Sequence, residues 1–356
     1  MDGSWFSRAA VGVLTAAVAA VDIPACGASV RRLVNGDRHY LLRMPEHKAC
    51  AAGDSLPLAV LIHCYGCAAS MEIDKYRNAA DKLGFAIVAP EGVHHSFNAP
   101  SCCGTAHDTQ VDDVGLVDSI VTELLASGNG RFVPSALFVT GFSNGGFLAS
   151  HLADASRHAW AAIAPTAGHE YSLRRDTPLP VQIHHCDGDQ MVNQSGCCTL
   201  HSPFGEQPTC CCQITAHTCV STRAIFAKWL YVNRCIGGVR TVMRPEIGAK
   251  CTIGAGCAAE TSLCFHDRGC RHSDWASSFE GAEAVLSFFA RQVCKRHGSA
   301  SGLDATVEGV ASASSKEICR CARGRTGVHC LQEPTAARSG PPSARKLARA
   351  QRNFDL

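Results

Sequence analysis

The stretch Thr140-Gly141-Phe142-Ser143-Asn144-Gly145-Gly146-Phe147 decides the fold. It joins an apolar strand-type run, Ala136-Leu137-Phe138-Val139, to a helix-type run, Phe147-Leu148-Ala149-Ser150-His151-Leu152-Ala153. In a G-x-S-x-G pattern between a strand and a helix, the chain must reverse direction within a few residues. The serine at the apex is then carried with its hydroxyl exposed. Gly141 and Gly145 lack the side chains for which so tight a turn has no room. The pattern alone also suits an ordinary glycine-rich turn ahead of a helix; the strand before it and the helix after it select the elbow.

Outward from the elbow, short apolar runs alternate with longer helical ones. Strands are expected at Leu58 to His63, Ala86 to Ala89, Ala136 to Phe142, Ala161 to Pro165, Val181 to His185 and Thr241 to Met243. Helices are expected at Met71 to Leu83, Val114 to Ala126, Gly146 to Ala155, Thr222 to Asn233 and Glu280 to Phe289, and Tyr40-Leu41-Leu42 suits an antiparallel edge strand. This alternation implies a mostly parallel sheet flanked by helices on both faces. With the elbow in place, the expected class is α/β, of the α/β-hydrolase fold. Such sheets gather their active-site loops at the C-terminal ends of the strands.

The ends of the chain have a different character. Arg8, the apolar run Ala9 to Ala16 and Ala17-Val18-Ala19 form the three parts of a secretory signal peptide, residues 1–19. An α/β-hydrolase domain would follow at 20–295, then a Ser-, Ala- and Gly-rich linker at 296–316. Cys319-Arg320-Cys321 to Gly324, Gly327 and Cys330 resembles the C-terminal half of an EGF-like module, so 317–331 is expected to be a partial EGF-like segment with a capacity for extracellular protein contact. Residues 332–356, with Pro341-Pro342 and scattered Arg, have too little apolar content to bury and form an expected disordered basic tail.

The 22 cysteines agree with secretion, since such a load forms a disulfide framework in an oxidising compartment. Cys64-x-x-Cys67 is accordingly expected to be a structural disulfide rather than a redox or zinc pair. The formal net charge of +2 gives no electrostatic footprint for nucleic acid, and no segment beyond the signal is long enough to cross a bilayer.

A nucleophilic Ser143 needs a base, and the base needs a carboxylate to orient it. The expected chain order is Ser, then acid, then His. After the strand Val181 to His185, the loop Cys186-Asp187-Gly188-Asp189 offers two acids; Asp189 is favoured, with Asp187 the competitor. Farther on, His272 lies in a turn ahead of a helix, whereas its competitor His266 has strand-like neighbours. His184 and His185 are expected to be structural. The oxyanion needs backbone N–H donors. One is expected from Asn144, after the serine, and the other from the turn Cys64-Tyr65-Gly66 after the early strand. This chemistry requires neither a metal nor an organic cofactor.

Six segments recur in one order: Ile62 to Gly66, Gly84 to Gly92, Asn98 to Gly104, Val111 to Gly115, Gly141 to Gly146 and Gly269 to Trp275. Together they resemble the secreted esterases grouped with polyhydroxybutyrate depolymerases, feruloyl esterases and LpqC-type lipoproteins, across about Arg31 to Val293. The resemblance implies a triad of Ser143, Asp189 and His272, with Tyr65 and Asn144 donating to the oxyanion and Asp112-Asp113 serving the scaffold. It implies ester substrates on plant cell-wall polysaccharide, feruloyl groups first, or a polyester. Two departures stand out. Cys64 occupies a position where the family usually has Gly, and Asn193 to Thr218 is a cysteine-rich insertion placed to wall or cover the cleft.

Overall fold

A computed structural model describes residues 22–298 except 35, 101, 169–172, 196–219, 267–269, 273 and 275–278. The expected signal peptide, EGF-like segment and basic tail lie outside the described residues, as do most of the cysteine-rich insertion and the linker beyond residue 298.

The strands are β1 (Ser29–Val34), β2 (Arg38–Arg43), β3 (Leu56–Ile62), β4 (Ala86–Pro90), β5 (Phe132–Phe142), β6 (Ala162–Thr166), β7 (Val181–Cys186), β8 (Val239–Arg244), β9 (Ala249–Gly254) and β10 (Thr261–His266). The helices are α1 (Lys48–Ala51), α2 (Ala69–Leu83), α3 (Thr105–Asp108), α4 (Asp113–Ser127), α5 (Asn144–Ala155), α6 (Thr222–Val232) and α7 (Phe279–Gly298). All ten strands join one sheet in the order β1-β2-β4-β3-β5-β6-β7-β10-β9-β8. From β4 to β10 the pairings are parallel. At both ends they turn antiparallel.

The parallel strands read as unbroken apolar runs because both of their faces are covered. Alternate residues of one strand enter different cores. Leu58, Val60 and Ile62 of β3 belong to the core shared with α4, α5 and α6, while Ala59 and Leu61 belong to the one shared with α2 and α7. The same division holds for Leu137 and Val139 against Ala136 and Phe138 in β5. On the second face the Phe138 ring stacks on Phe289 of α7 at 4.7 Å and meets Phe85 edge-on at 5.7 Å. Truncating so enclosed a ring to Ala costs roughly 3–5 kcal/mol.

Two expectations about strands need correction. Tyr40 to Leu42 is antiparallel, as expected, but it is not the edge: β1 pairs outside it. Thr241 to Met243 does not continue the parallel alternation, because β8 is the outer strand of an antiparallel hairpin with β9. Three observed strands are absent from the expected set: β1 and β9, Ser-Val-Arg-Arg-Leu-Val and Ala-Lys-Cys-Thr-Ile-Gly, whose polar residues dilute the apolar signal, and the buried β10, read only as strand-like surroundings of His266. Helix α7 also runs to Gly298, past the expected end of the domain at 295.

After β3 the chain first steps to β4 on one side, then returns to place β5 on the other. Open α/β sheets bind their ligands at such a reversal, which here falls at the C-terminal ends of β3 and β5. The turn after β3 and the serine after β5 both lie there.

Candidate active site

Ser143 follows β5 directly and is the N-cap of α5, with φ +55° and ψ −119°. Holding a non-glycine residue in so sparsely populated a region costs on the order of 1–3 kcal/mol, so the surroundings must enforce it. They do so with backbone. Ser143 N–H donates to Thr166 O at 2.9 Å, and Phe147 N–H donates to Ser143 O at 3.0 Å. A Cβ on Gly141 would lie 2.3 Å from Gly145 O, and one on Gly145 would lie 2.1 Å from Ile62 O. Glycine is needed there because main chain meets main chain, as the sequence pattern indicated. Gly168, which sequence reasoning missed, completes the packing: its Cβ would meet Ser143 O at 2.3 Å.

The structure brings Ser143, His272 and Asp189 together. His272 Nε2 lies 2.9 Å from Ser143 Oγ, and His272 Nδ1 lies 2.7 Å from Asp189 Oδ2. The ring of Phe142 flanks His272 at 4.8 Å. Asp187 and His266 are excluded from this chain of contacts. Asp187 is exposed, and its N–H donates to His266 O at 2.9 Å. His266 is buried, with Nε2 3.0 Å from His184 Nδ1 and Nδ1 3.2 Å from Ile247 O. Burial drives the pKa of His184 well below its usual value, with neighbouring His266 and Arg291 acting in the same direction.

Asp189 is held on both oxygens. Oδ1 accepts N–H bonds from Met191 at 2.9 Å and Val192 at 2.8 Å. Oδ2 faces His272 and also His185 Nε2, which is 3.4 Å away. Burial works to raise this carboxyl's pKa, yet the hydrogen bonds and charge of His185 and His272 outweigh it, and the group is held well below the ordinary carboxylate range. His185 is fully buried, with Nε2 2.6 Å from Val192 O and Nδ1 3.3 Å from Thr222 Oγ1. These bonds fit the structural place expected for it, but it also touches Asp189. Its place four residues before Asp189, at a strand end, was the available signal.

Two covalent links were not legible from spacing. Cys186 pairs with Cys270 across a sequence separation of 84, and Cys102 pairs with adjacent Cys103. Cys64 pairs with Cys67, as expected, and so brackets Tyr65 in a short ring.

That turn is fixed from below by His63, another residue missed in the sequence. His63 Nε2 accepts the N–H of Gly92 at 3.0 Å, so its Nδ1 carries the proton and donates to Cys64 O at 2.8 Å. Burial lowers the His63 pKa, which keeps the ring neutral and this bonding pattern intact. Asn144 opens α5, where a first-turn N–H has no intrahelical acceptor. Its side chain accepts from Phe97 N–H at 2.7 Å and donates to Phe97 O at 2.9 Å and Cys102 O at 3.3 Å. The Tyr65 side chain is 57% exposed and lies over Gly104, where an added Cβ would come 2.5 Å from the ring.

Asp112 caps α4 by accepting from Gly115 N–H at 2.7 Å. Asp113 accepts from Arg38 at 2.7 Å and from Asn98 N–H at 2.6 Å. All three bonds are made within the scaffold. Among the described residues no group of three or more His, Cys, Asp or Glu is arranged to hold a metal ion, and no helix is long and apolar enough to cross a membrane.

The strand order, the crossover at β3 and the strained serine between β5 and α5 define an α/β-hydrolase fold. No family model matches the chain. Over 171 residues it is 31% identical to NocK of Nocardia uniformis subsp. tsuyamanensis, a protein assigned as an esterase; the match covers 45% of this chain. The chain spans about half, 48%, of that relative's length. Among solved structures, it is similar to a thermostable esterase at 15% identity and TM-score 0.49, covering 74% of this chain and 62% of the other. It is also similar to an acetyl xylan esterase from Aspergillus awamori at 14% identity and TM-score 0.45, covering 72% of this chain and all of the other. The fold assignment rests on the topology and the elbow.

Proposed function

We propose that the chain is a secreted serine carboxylic ester hydrolase. The observation that carries this reading is the continuous line of contacts from Ser143 Oγ through His272 to Asp189, at 2.9 and 2.7 Å. His272 Nε2 takes the Ser143 proton as Oγ attacks the ester carbonyl, and Asp189 keeps the Nδ1–H tautomer and stabilises the imidazolium that forms. The tetrahedral oxyanion is met by the backbone N–H groups of Asn144 and Tyr65. His272 then protonates the departing alcohol, leaving an acyl group on Ser143. Water, deprotonated by His272, releases the acid and restores the serine.

The substrate class follows from the resemblance: feruloyl-type aryl esters on plant cell-wall polysaccharide, ahead of acetylated xylan or polyhydroxybutyrate. The exposed Tyr65 ring in the turn after β3 supports an aromatic acyl group. The 31% identity to NocK, a protein assigned as an esterase, supports ester hydrolysis. Six described disulfides support an extracellular location.

Hydrolysis of methyl ferulate, acetylated xylan and hydroxybutyrate oligomers tests both parts of the reading. Turnover of any of them that falls at least ~10⁴-fold in Ser143→Ala establishes the serine mechanism. Undiminished turnover in that variant, or none in the native protein, rejects it; preference for acetylated xylan or the oligomers replaces the aryl substrate.

A further inference from the structure

The Cys186–Cys270 disulfide ties together the two loops that carry Asp189 and His272. Cys186 is the last residue of β7 and lies three positions before the acid; Cys270 lies two positions before the histidine. The link is reinforced by main chain, because Gly188 N–H donates to Cys270 O at 3.1 Å and Asp187 N–H donates to His266 O at 2.9 Å. A Cβ on Gly188 would come 2.8 Å from Cys270 O, so the two loops lie backbone against backbone. The acid side is anchored independently, by the bonds of Met191, Val192 and His185 to Asp189. His272 is different. The only side-chain hydrogen bonds described for it go to Asp189 and Ser143, its partners in the proposed chemistry.

We infer that Cys186 and Cys270 are positioning residues, and that their cross-link holds the His272 imidazole within reach of Asp189 and Ser143. This rests on the ester-hydrolase reading for its kinetic consequence, though not for its structural one. The cross-link closes a long loop that includes the whole cysteine-rich insertion. Without it, the described links between the two loops are the backbone hydrogen bonds and the His272–Asp189 contact itself. A misplacement on the ångström scale is enough to cost about a hundredfold in rate. An external dithiol opens the link by exchange: it loses two electrons and two protons to become a disulfide, and Cys186 and Cys270 become thiols.

The test is C186A/C270A beside C26A/C50A, which removes a disulfide far from the site. The expected result for the first is a kcat roughly ten- to a hundredfold lower with KM within about threefold. The loss should be larger for an alkyl ester, whose leaving group needs a proton from His272, than for p-nitrophenyl acetate, whose leaving group does not. A general loosening of the fold would reduce both alike. The far-downfield proton resonance of His272 Nδ1–H, assigned by its loss in Asp189→Asn, should persist in C26A/C50A and vanish in C186A/C270A. If C186A/C270A fails to fold, graded dithiothreitol on the native protein replaces it, with alkylated cysteines mapped by mass spectrometry. Activity and the proton signal should then fall in step with the appearance of free Cys186 and Cys270. A C186A/C270A variant with native kcat and an unchanged signal overturns the inference, as does a native protein with no such signal, or activity that persists once Cys186 and Cys270 are free. A native protein that shows the expected signal changes but hydrolyses no ester removes the proposed function and leaves the positioning role standing.

Discussion

The two halves of the candidate site are built in opposite ways. The serine half is local: β5, the elbow and α5 are continuous in sequence, and Ser143 is fixed by main chain packed on main chain at Gly141, Gly145 and Gly168. The acid–base half is assembled from a distance: His272 and Asp189 are 83 residues apart and meet through strand pairing of β7 with β10, a disulfide and buried side-chain bonds. The first half therefore resists change in volume, whereas the second is sensitive to loss of a partner.

Substitutions should separate these modes of failure. The largest effect is expected from Asp189→Asn, which keeps an acceptor for the N–H groups of Met191 and Val192 but stabilises the wrong His272 tautomer. Ester turnover should drop about 10⁴-fold while the thermal midpoint moves little; a loss of folding with activity per folded molecule retained would break the comparison. Gly145→Ala should do the reverse. Its new methyl group would sit 2.1 Å from Ile62 O, and in a core with no slack the cost should exceed about 3 kcal/mol, measured by urea unfolding.

A third variant probes what supports the long-range half. Glu260, just before β10, accepts from Gln292 and Lys295 of α7 at 2.8 Å each and pairs with Arg291 at 3.1 Å. Burial opposes ionisation, but the charges of Arg291 and Lys295 and the hydrogen bonds prevail and lower its pKa to about 2. A depressed pKa gives stability that is present above the unfolded value and lost as pH falls through the folded one. Between about pH 4.5 and 2 the native protein should thus lose on the order of 2–3 kcal/mol through this group. Glu260→Gln should flatten that part of the unfolding free-energy profile. The smallest effect is expected from His185→Gln. Losing a histidine contact to the acid while keeping a side-chain donor should lower kcat roughly tenfold with KM nearly unchanged, and native kcat would confine His185 to scaffolding.

The same contrast explains what the sequence made legible. The elbow could be read because everything that shapes it lies within one strand, one turn and one helix. Asp189 and His272 could be ranked above Asp187 and His266 by loop context and chain order, but their contact could not be seen, since nothing local specifies it. Likewise His185 read only as structural and His63 was not singled out, yet each is buried and also holds a neighbouring loop. Strand β1 at one edge and β9, one strand in from the other, escaped detection because their exposed positions accept Arg and Lys, which erases the apolar run that marks central strands. Disulfide pairing is a property of the folded chain, and the Cys102–Cys103 and Cys186–Cys270 pairs had no spacing to announce them.

Asn144 carries a consequence for how this chain can vary over evolutionary time. Its side-chain amide both gives to and takes from the segment between Phe97 and Cys102. Asp has the acceptor without the donor, Ser is too short, and Gln adds a methylene where there is no exposed surface to absorb it. No single substitution preserves both partnerships. Relatives that differ at this position should therefore differ in the 97–102 segment as well, and the two should drift as a unit.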